Sequence, residues 1–171
     1  MRLISVKNKK TMEKSDKEFE RLVQAHKSTI YQVCYMFAKD SDEAADLFQE
    51  ILINLWQGID GFKEQSSVKT WIWRISLNTC ISYDRKKKRG IQTQPLEMDV
   101  DLFNDNDRDS LQVRMLHDRI QKLGVMDRAI VMLWLENLSY DEIGLIAGIS
   151  AKNVSVRLVR IREQLKNMSN D

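Results

Sequence analysis

The sequence predicts an all-α protein made of two small helical domains joined by an acidic linker. Glycine and proline are scarce, with six glycines and one proline among 171 residues, whereas sheets with tight turns use more of both. Apolar residues recur at the spacing of amphipathic helices, and serine capping signals precede several of these stretches. The length suits one compact domain or two small ones, not a large multidomain enzyme.

The first helical unit is predicted over residues 16–90, after a basic N-terminal extension over residues 1–15. Its first helix is expected over residues 16–38, where apolar residues recur every three or four positions. Ser15 and Glu18 have the spacing of a capping box, which predicts that this helix starts there.

Two further helices complete this unit. The second is expected over residues 42–57, and the third runs over residues 68–89 with Ser67 as its N-cap. The third helix ends in a cationic run, residues 85–89, and Gly90 follows. Cations in the last turn and a glycine after it are typical of a helix C-terminus.

An acidic linker is predicted over residues 91–109, which contain the single proline, Pro95. The second helical unit then covers residues 110–171. Its helices are predicted over residues 110–123, 127–136, 139–147 and 150–168.

Membrane and secreted classes are excluded by the hydropathy pattern. The longest uninterrupted apolar run, Ala129–Leu135, has seven residues, far fewer than the roughly 20 that span a bilayer. The N-terminal basic residues are followed by no apolar stretch of a signal sequence. Cys34 and Cys80 lie in apolar helical patterns, which favours buried reduced thiols over a redox pair. We therefore expect a cytoplasmic protein.

The net charge of +2 is unevenly distributed. Residues 1–15 hold five basic groups and one acidic group, whereas residues 91–111 hold one basic and six acidic groups. A nearly neutral total therefore does not exclude binding to nucleic acid, because the basic surfaces are local.

The last two predicted helices have the spacing of a helix-turn-helix. Gly144 would let the helices approach closely, and Gly148 would adopt the left-handed conformation at the turn. The second of these helices would present side chains that reach bases and phosphates in the major groove, namely Lys152, Asn153, Ser155, Arg157 and Arg160. A helical hairpin with a solvated basic face is the alternative.

The third helix of the first unit mixes aromatic, basic and amide side chains. Unstacked bases need flat surfaces and the DNA backbone needs positive charge, so this mixture indicates contact with single-stranded DNA. The candidate residues are Lys69, Trp73, Arg74, Asn78, Arg85 and Lys86. Trp71 is expected in the core.

Asp46, Gln49 and Glu50 project from one face of the second helix. Paired carboxylates occur in acid–base and di-metal sites, but a di-metal bundle needs Glu-x-x-His pairs, and His26 and His117 lie in other contexts. A docking surface for a basic partner fits better, with an ordinary solvated face as the alternative. The sequence shows no phosphate loop, no metal-binding spacing and no nucleophile motif, so we expect no metal and no cofactor.

These features together resemble the extracytoplasmic-function (ECF) sigma factors of bacterial RNA polymerase, which belong to the sigma-70 family. The resemblance covers about residues 19–89 and 111–166. The run Ala44-Ala45-Asp46-Leu47-Phe48-Gln49-Glu50 resembles the polymerase-binding signature, and Lys69–Asn78 is similar to the promoter-melting helix. Residues 138–143 and 153–158 resemble the segment that binds the minus-thirty-five element.

The resemblance implies a function for each unit. Residues 16–90 would be sigma region 2, which holds core polymerase through Asp46, Gln49 and Glu50 and recognises and melts the minus-ten element. Residues 110–171 would be sigma region 4, which reads the minus-thirty-five element. The loop over residues 59–68 corresponds to one that captures a flipped base. The protein would be no enzyme, with core polymerase, promoter DNA and an anti-sigma factor as partners, no small-molecule substrate and no membrane insertion.

One departure affects specificity. The family usually has an aspartate four residues after Asn78, where this chain has Ser82, so the minus-ten sequence preference is not transferred. A helix-turn-helix regulator that binds duplex DNA without polymerase is the alternative function. A helical-bundle enzyme is a third, but it lacks a catalytic cluster.

Overall fold

A computed structural model describes the backbone of residues 2–62, 66–90 and 111–168, and the side chains from residue 16 onwards within those ranges. In this part of the chain there are seven α-helices and no strand, which confirms the all-α prediction. The linker predicted over residues 91–109 lies outside the described residues.

Three helices form the N-terminal bundle: α1 (Arg2–Phe37), α2 (Ser41–Gly58) and α3 (Val68–Lys88), with a 3₁₀ turn at Ile59–Gly61 after α2. Each helix contributes one apolar stripe to a shared core. Fully buried side chains of this core include Ile30, Val33, Cys34, Leu47, Ile51, Leu55, Ile72 and Trp73.

The start of α1 differs from the prediction. The helix begins at Arg2, so the expectation that it starts beside Ser15 was wrong. Residues 2–15 contain no glycine and no proline, and the capping pattern alone does not end a helix that can continue in the N-terminal direction.

Side-chain caps fix the starts of α2 and α3. The Asp40 carboxylate accepts a hydrogen bond from the Glu43 amide at 2.9 Å. Ser67 caps α3 as predicted, because its hydroxyl accepts from the Thr70 amide at 3.1 Å. Each cap satisfies an amide that has no partner within its own helix.

Four shorter helices form the C-terminal unit: α4 (Leu111–Gln121), α5 (Val125–Leu135), α6 (Tyr140–Ala147) and α7 (Ala151–Asn167). Ser139 and Glu142 form the predicted capping box, and Ser150 caps α7 through the Asn153 amide. The core of this unit contains Ile120, Ile130, Leu133, Ile143, Val154, Leu158 and Ile161.

The turn between α6 and α7 matches the helix-turn-helix prediction. Gly148 lies in the left-handed region with φ of 74°, which glycine adopts without steric cost. A Cβ atom on Gly144 would lie 2.6 Å from the carbonyl oxygen of Ile149. The two glycines therefore set the turn and the close approach of the chain after it.

Gly144→Ala should destabilise the C-terminal unit. Alanine improves helix propensity by about 1 kcal/mol, but the added methyl group would meet backbone that has to shift, so we expect a net loss of about 1–3 kcal/mol. Chemical denaturation followed by circular dichroism measures this. Gly61→Ala is the control, because its Cβ atom meets nothing within 4 Å, and an equal loss in both variants would contradict the packing argument.

Candidate functional site

The predicted polymerase-binding residues lie together on one face of α2. Asp46, Gln49 and Glu50 are all half-buried, and Gln49 Nε2 has no hydrogen-bond partner among the described residues. Ile53 continues the same face one turn further and is 51% exposed. The face therefore combines carboxylates with an exposed apolar side chain, which sequence reasoning missed because it considered polar groups only.

The electrostatics of this face are unfavourable for its own charges. Desolvation raises the pKa of Asp46 above its ordinary value of 3.8, and repulsion from the carboxylates of Asp42 and Glu43 raises it further. A basic partner would relieve this repulsion.

Glu43 has a structural role beside that face. Its carboxylate accepts hydrogen bonds from the Lys39 amide at 2.7 Å and from Lys87 Nζ at 2.5 Å. The bond to Glu43 raises the pKa of Lys87. The ion pair joins the start of α2 to the basic end of α3.

Of the α3 residues predicted to contact DNA, most lie at the surface and one lies in the core. Lys69, Arg74 and Asn78 are exposed, as predicted. Trp73, which was also predicted to contact DNA, is only 1% exposed and lies in the core of the bundle, so its ring is covered in this structure. Its position places it on the same side as Ile72 and the buried Ser76, which face the bundle.

Trp71, rather than Trp73, is partly exposed to solvent. It is half-buried rather than fully in the core, and its ring centroid lies 5.0 Å from that of Phe62, in the loop before α3. The signal that could have found this is the loop aromatic, since Phe62 needs a nearby apolar surface. An aromatic pair therefore lies beside the loop that precedes α3.

The basic end of α3 contains two kinds of cation. Arg85 and Lys86 are exposed and have no ion-pair partner among the described residues. Lys87 is bonded to Glu43, and Lys88 lies 3.0 Å from the Asp84 carboxylate. Arg85 and Lys86, the two residues that the sequence indicated, are therefore available to a phosphate, as is the exposed Arg89.

The exposed face of α7 only partly coincides with the face that the sequence predicted to contact DNA. Lys152, Asn153 and Arg160 are exposed, whereas Ser155 is half-buried. Arg157 is half-buried and its guanidinium lies 2.7 Å from the Asp127 carboxylate, so it serves packing within the unit.

Two apolar side chains that the sequence reading left out are exposed on α7. Val156 is 52% exposed and Val159 is 60% exposed. Val156 lies one turn from both Lys152 and Arg160, and this spacing was the signal that could have placed it on their face.

The thiols and the acidic groups form no further site in the described ranges. Cys34 and Cys80 are free and buried, as predicted, and burial raises the pKa of the Cys34 thiol to about 12. No cluster of His, Cys, Asp and Glu suited to a metal ion occurs among the described residues. None of the helices described is both long and apolar enough to span a membrane.

Sequence profiles of two sigma-factor regions match the chain in order. The profile "Sigma-70 region 2" matches residues 22–90, and "Sigma-70, region 4" matches residues 114–165. The ECF RNA polymerase sigma factor SigW of Bacillus subtilis (strain 168) is 31% identical over 186 alignment positions that cover 100% of both chains. The chain belongs to the ECF sigma factors. It therefore acts with RNA polymerase in promoter-directed initiation of transcription.

Other relatives agree with this assignment. The ECF sigma-E factor of Haemophilus influenzae (strain ATCC 51907 / DSM 11121 / KW20 / Rd) is 27% identical and covers 88% of this sigma factor and 87% of the relative. The solved structure of the sigma factor RpoE with the anti-sigma factor NepR from Bartonella quintana has a TM-score of 0.70 at 22% identity and covers 88% of this chain and 95% of that one. This second likeness supports the fold.

Substitution by alanine should have different effects at Lys86, which is exposed, and at Lys87, which is paired with Glu43. Lys86→Ala should leave stability within about 0.5 kcal/mol, weaken promoter binding by the sigma–polymerase complex and reduce its salt dependence by about 0.7 in log–log slope. Lys87→Ala should instead lower the free energy of unfolding by about 1–2 kcal/mol, because it leaves the buried Glu43 carboxylate without its cationic partner and with only the Lys39 amide as a donor.

Thermal unfolding of the free protein and promoter binding at several salt concentrations measure the two effects. Loss of stability in Lys86→Ala with none in Lys87→Ala would reverse the assignment.

Proposed function

We propose that this sigma factor docks on core RNA polymerase with the acidic face of α2, captures the opened minus-ten element with α3 and the loop before it, and reads the minus-thirty-five element with α7. The observation that carries the proposal is the exposure of three chemically different faces, one for each of these partners. In this proposal, the predicted domain over residues 16–90 binds polymerase and the minus-ten element. The predicted domain over residues 110–171, which follows the linker 91–109, binds the minus-thirty-five element.

Polymerase docking rests on the charge and solvation of α2. Asp46 and Glu50 are carboxylates on a face where repulsion already disfavours ionisation of Asp46, so cations of a partner would stabilise both. Gln49 offers a buried amide nitrogen without a partner, and Ile53 offers apolar area. An apolar centre beside paired charges is the composition of a specific interface.

Capture of the minus-ten element rests on α3. Lys69, Arg74 and Asn78 offer cations and an amide on the exposed side, and Arg85 and Lys86 extend this surface. Trp71 with Phe62 supplies the flat aromatic surface that an unstacked base requires, in place of the buried Trp73. Phosphate contacts position the strand and base contacts select it.

Reading of the minus-thirty-five element rests on α7. Lys152 and Asn153 lie in its first turn, the part of a recognition helix that meets base edges, and Arg160 follows two turns later. Val156, exposed between them, offers an apolar contact of the kind that the thymine methyl group makes.

The proposed mechanism contains no covalent step, so we assign no enzymatic activity to this chain. The free energy of binding unstacked bases offsets the cost of melting the duplex. Its place of action is the cytoplasm, with polymerase and promoter DNA. The solved relatives RpoE and CnrH are each in complex with a partner, the anti-sigma factor NepR and the cytosolic domain of CnrY, and we propose that an anti-sigma factor regulates this chain too.

Asp46→Asn should weaken binding to core polymerase about tenfold or more while stabilising the free protein at pH 7. The folded state raises the pKa of Asp46, so ionisation of Asp46 costs stability as the pH rises above 3.8. The gain in melting temperature should therefore be complete at neutral pH and should shrink as the pH falls towards 3.8.

Glu20→Gln removes a carboxylate from an exposed position on α1 and is the matched control. It should change neither property. Wild-type polymerase affinity in both Asp46→Asn and Glu50→Gln would refute the docking face that we propose on α2.

Run-off transcription with purified core polymerase tests the function as a whole. Added protein should start transcripts at a defined set of sites on a pool of genomic promoter fragments. Absence of such transcripts in a preparation free of inhibitors would refute the proposal.

Lys152→Ala and Lys166→Ala remove the same charge at opposite ends of α7 and test which end of the helix contacts the bases. The first should reduce transcription several-fold, because a good contact in the major groove contributes about 1–3 kcal/mol. The second should reduce it much less. Equal losses would show that general attraction to phosphates, rather than groove reading, is at work.

A further inference from the structure

The basic N-terminal extension continues the backbone of α1 beyond the other two helices of the bundle. α1 begins at Arg2 and has 36 residues, whereas α2 has 18 and α3 has 21. At 1.5 Å per residue, α1 is about 54 Å long and α2 about 27 Å long. Roughly half of α1 therefore has no counterpart in α2.

One aromatic contact shows where α1 leaves the bundle. The ring centroid of Phe19 on α1 lies 5.0 Å from that of Trp56, close to the end of α2 at Gly58. α1 ends at Phe37 and α2 begins nearby at Ser41, so the two helices are antiparallel. The residues before Phe19 therefore continue past the end of α2.

The same end of the bundle carries the loop and the aromatic pair that are proposed to capture the opened strand. A Cβ atom on Gly58 would lie 3.4 Å from the ring of Trp71, and the ring of Trp71 lies 5.0 Å from that of Phe62. α1 therefore leaves the bundle beside the proposed base-capture site.

Five cations form a basic stripe along this part of α1, at positions that alternate between spacings of three and four residues. They are Lys7, Lys10, Lys14, Lys17 and Arg21. This spacing keeps all five positions on one face of the helix. Lys17 and Arg21 belong to the range with described side chains, and both are exposed.

The basic stripe lies on the opposite side of α1 from the bundle. At about 100° per residue, its centre is roughly 190° from the positions of Phe19 and Ile30, which pack in or against the core. No acidic position falls within the stripe, although Glu18 borders it. The face is therefore a continuous row of positive charge that the bundle does not cover.

The length and chemistry of the basic stripe suit a phosphate backbone. From Lys7 to Arg21 the helix rises about 21 Å. One strand of B-form DNA has a phosphate about every 3.4 Å along its axis, so the stripe can face about six phosphates. Lysine and arginine contacts to phosphates hold nucleic acid in place without selecting its sequence.

A membrane surface suits this segment less well. A helix that lies on a bilayer needs an apolar face opposite its cations. The apolar residues of the extension, Leu3, Ile4, Val6 and Met12, fall on different sides of the helix. From Phe19 onwards the apolar face of α1 packs against the bundle core.

We propose that the basic stripe of α1 binds the phosphate backbone of promoter DNA beside the opened minus-ten element, and so adds a sequence-independent contact to those of α3. The location beside the minus-ten element rests on the proposed function. The affinity of the stripe for a phosphate backbone does not.

Two double variants with the same net charge test the basic stripe. Lys7→Gln with Lys10→Gln removes two cations from it, whereas Arg2→Gln with Lys9→Gln removes two cations from the same extension at positions off the stripe. Glutamine and lysine have similar helix propensities, so α1 should persist in both variants. Circular dichroism checks this.

Promoter binding by the sigma–polymerase complex at several salt concentrations measures the effect. The stripe variant should bind every promoter more weakly and should lower the log–log salt slope by about 1.4–1.8, the value for two lost phosphate contacts. The off-stripe variant should leave the slope almost unchanged. Equal losses in the two variants would overturn the proposal, because they would show attraction to net charge alone.

Crosslinking locates the contact on the promoter. Lys17→Cys carries a photoreactive group at an exposed position, and the native thiols are buried. In the complex with core polymerase, it should crosslink to DNA next to the minus-ten element. Ser28→Cys, also exposed and about 16 Å further along the same side of α1, should crosslink to that DNA much less. Crosslinks from Lys17→Cys to polymerase alone would overturn the proposal.

Fluorescence anisotropy with a random-sequence duplex at low salt tests the basic stripe in the free chain. The stripe variant should bind several-fold more weakly than the off-stripe variant, and equal affinities would overturn the proposal. Binding to phosphatidylglycerol vesicles that only the stripe variant loses, with unchanged DNA binding, would assign the stripe to a membrane instead. Failure of wild-type protein to start any transcript would refute the proposed function, whereas the anisotropy measurement needs neither polymerase nor a promoter.

Discussion

The buried carboxylate of Glu43 links the parts of region 2 on which function depends. It accepts hydrogen bonds from the amide of Lys39, before α2, and from Lys87, near the end of α3. A carboxylate this far from water is stable only when such partners satisfy it. The acidic face of α2 and the basic end of α3 are therefore held in one fixed relation, although they are proposed to meet different partners.

The need to pair buried charges also explains how a chain with a net charge of +2 can carry both an acidic and a basic binding surface. Charges that pair internally, such as Lys87 and Arg157, stabilise the fold and contribute little to the outer field. Charges left outside, such as Asp46 and Lys86, produce the local fields that attract partners. The total charge is uninformative because it adds both kinds together.

Local signals in the sequence were sufficient for most of the helices and for the turn. Caps at Ser67, Ser139 and Ser150 and the left-handed Gly148 depend on a few neighbouring residues, so they could be predicted. Trp73 could not be placed, because neighbours on a helix differ by about 100° and one position decides between core and surface. The ion pair of Arg157 could not be foreseen, because its partner, Asp127, lies 30 positions away and leaves no local pattern.

The seam of polar contacts between the two helical units was beyond sequence reasoning for the same reason, since its partners lie 71 to 83 positions apart. Its acceptors are mainly backbone carbonyls, those of Ala38, Tyr35 and Leu145, and its donors are side chains at its edge. Each such bond contributes only about 0.5–1.5 kcal/mol net, since water competes for the same groups. Bonds between side chains and backbone carbonyls leave no periodic pattern in the sequence, so only the folded chain reveals them.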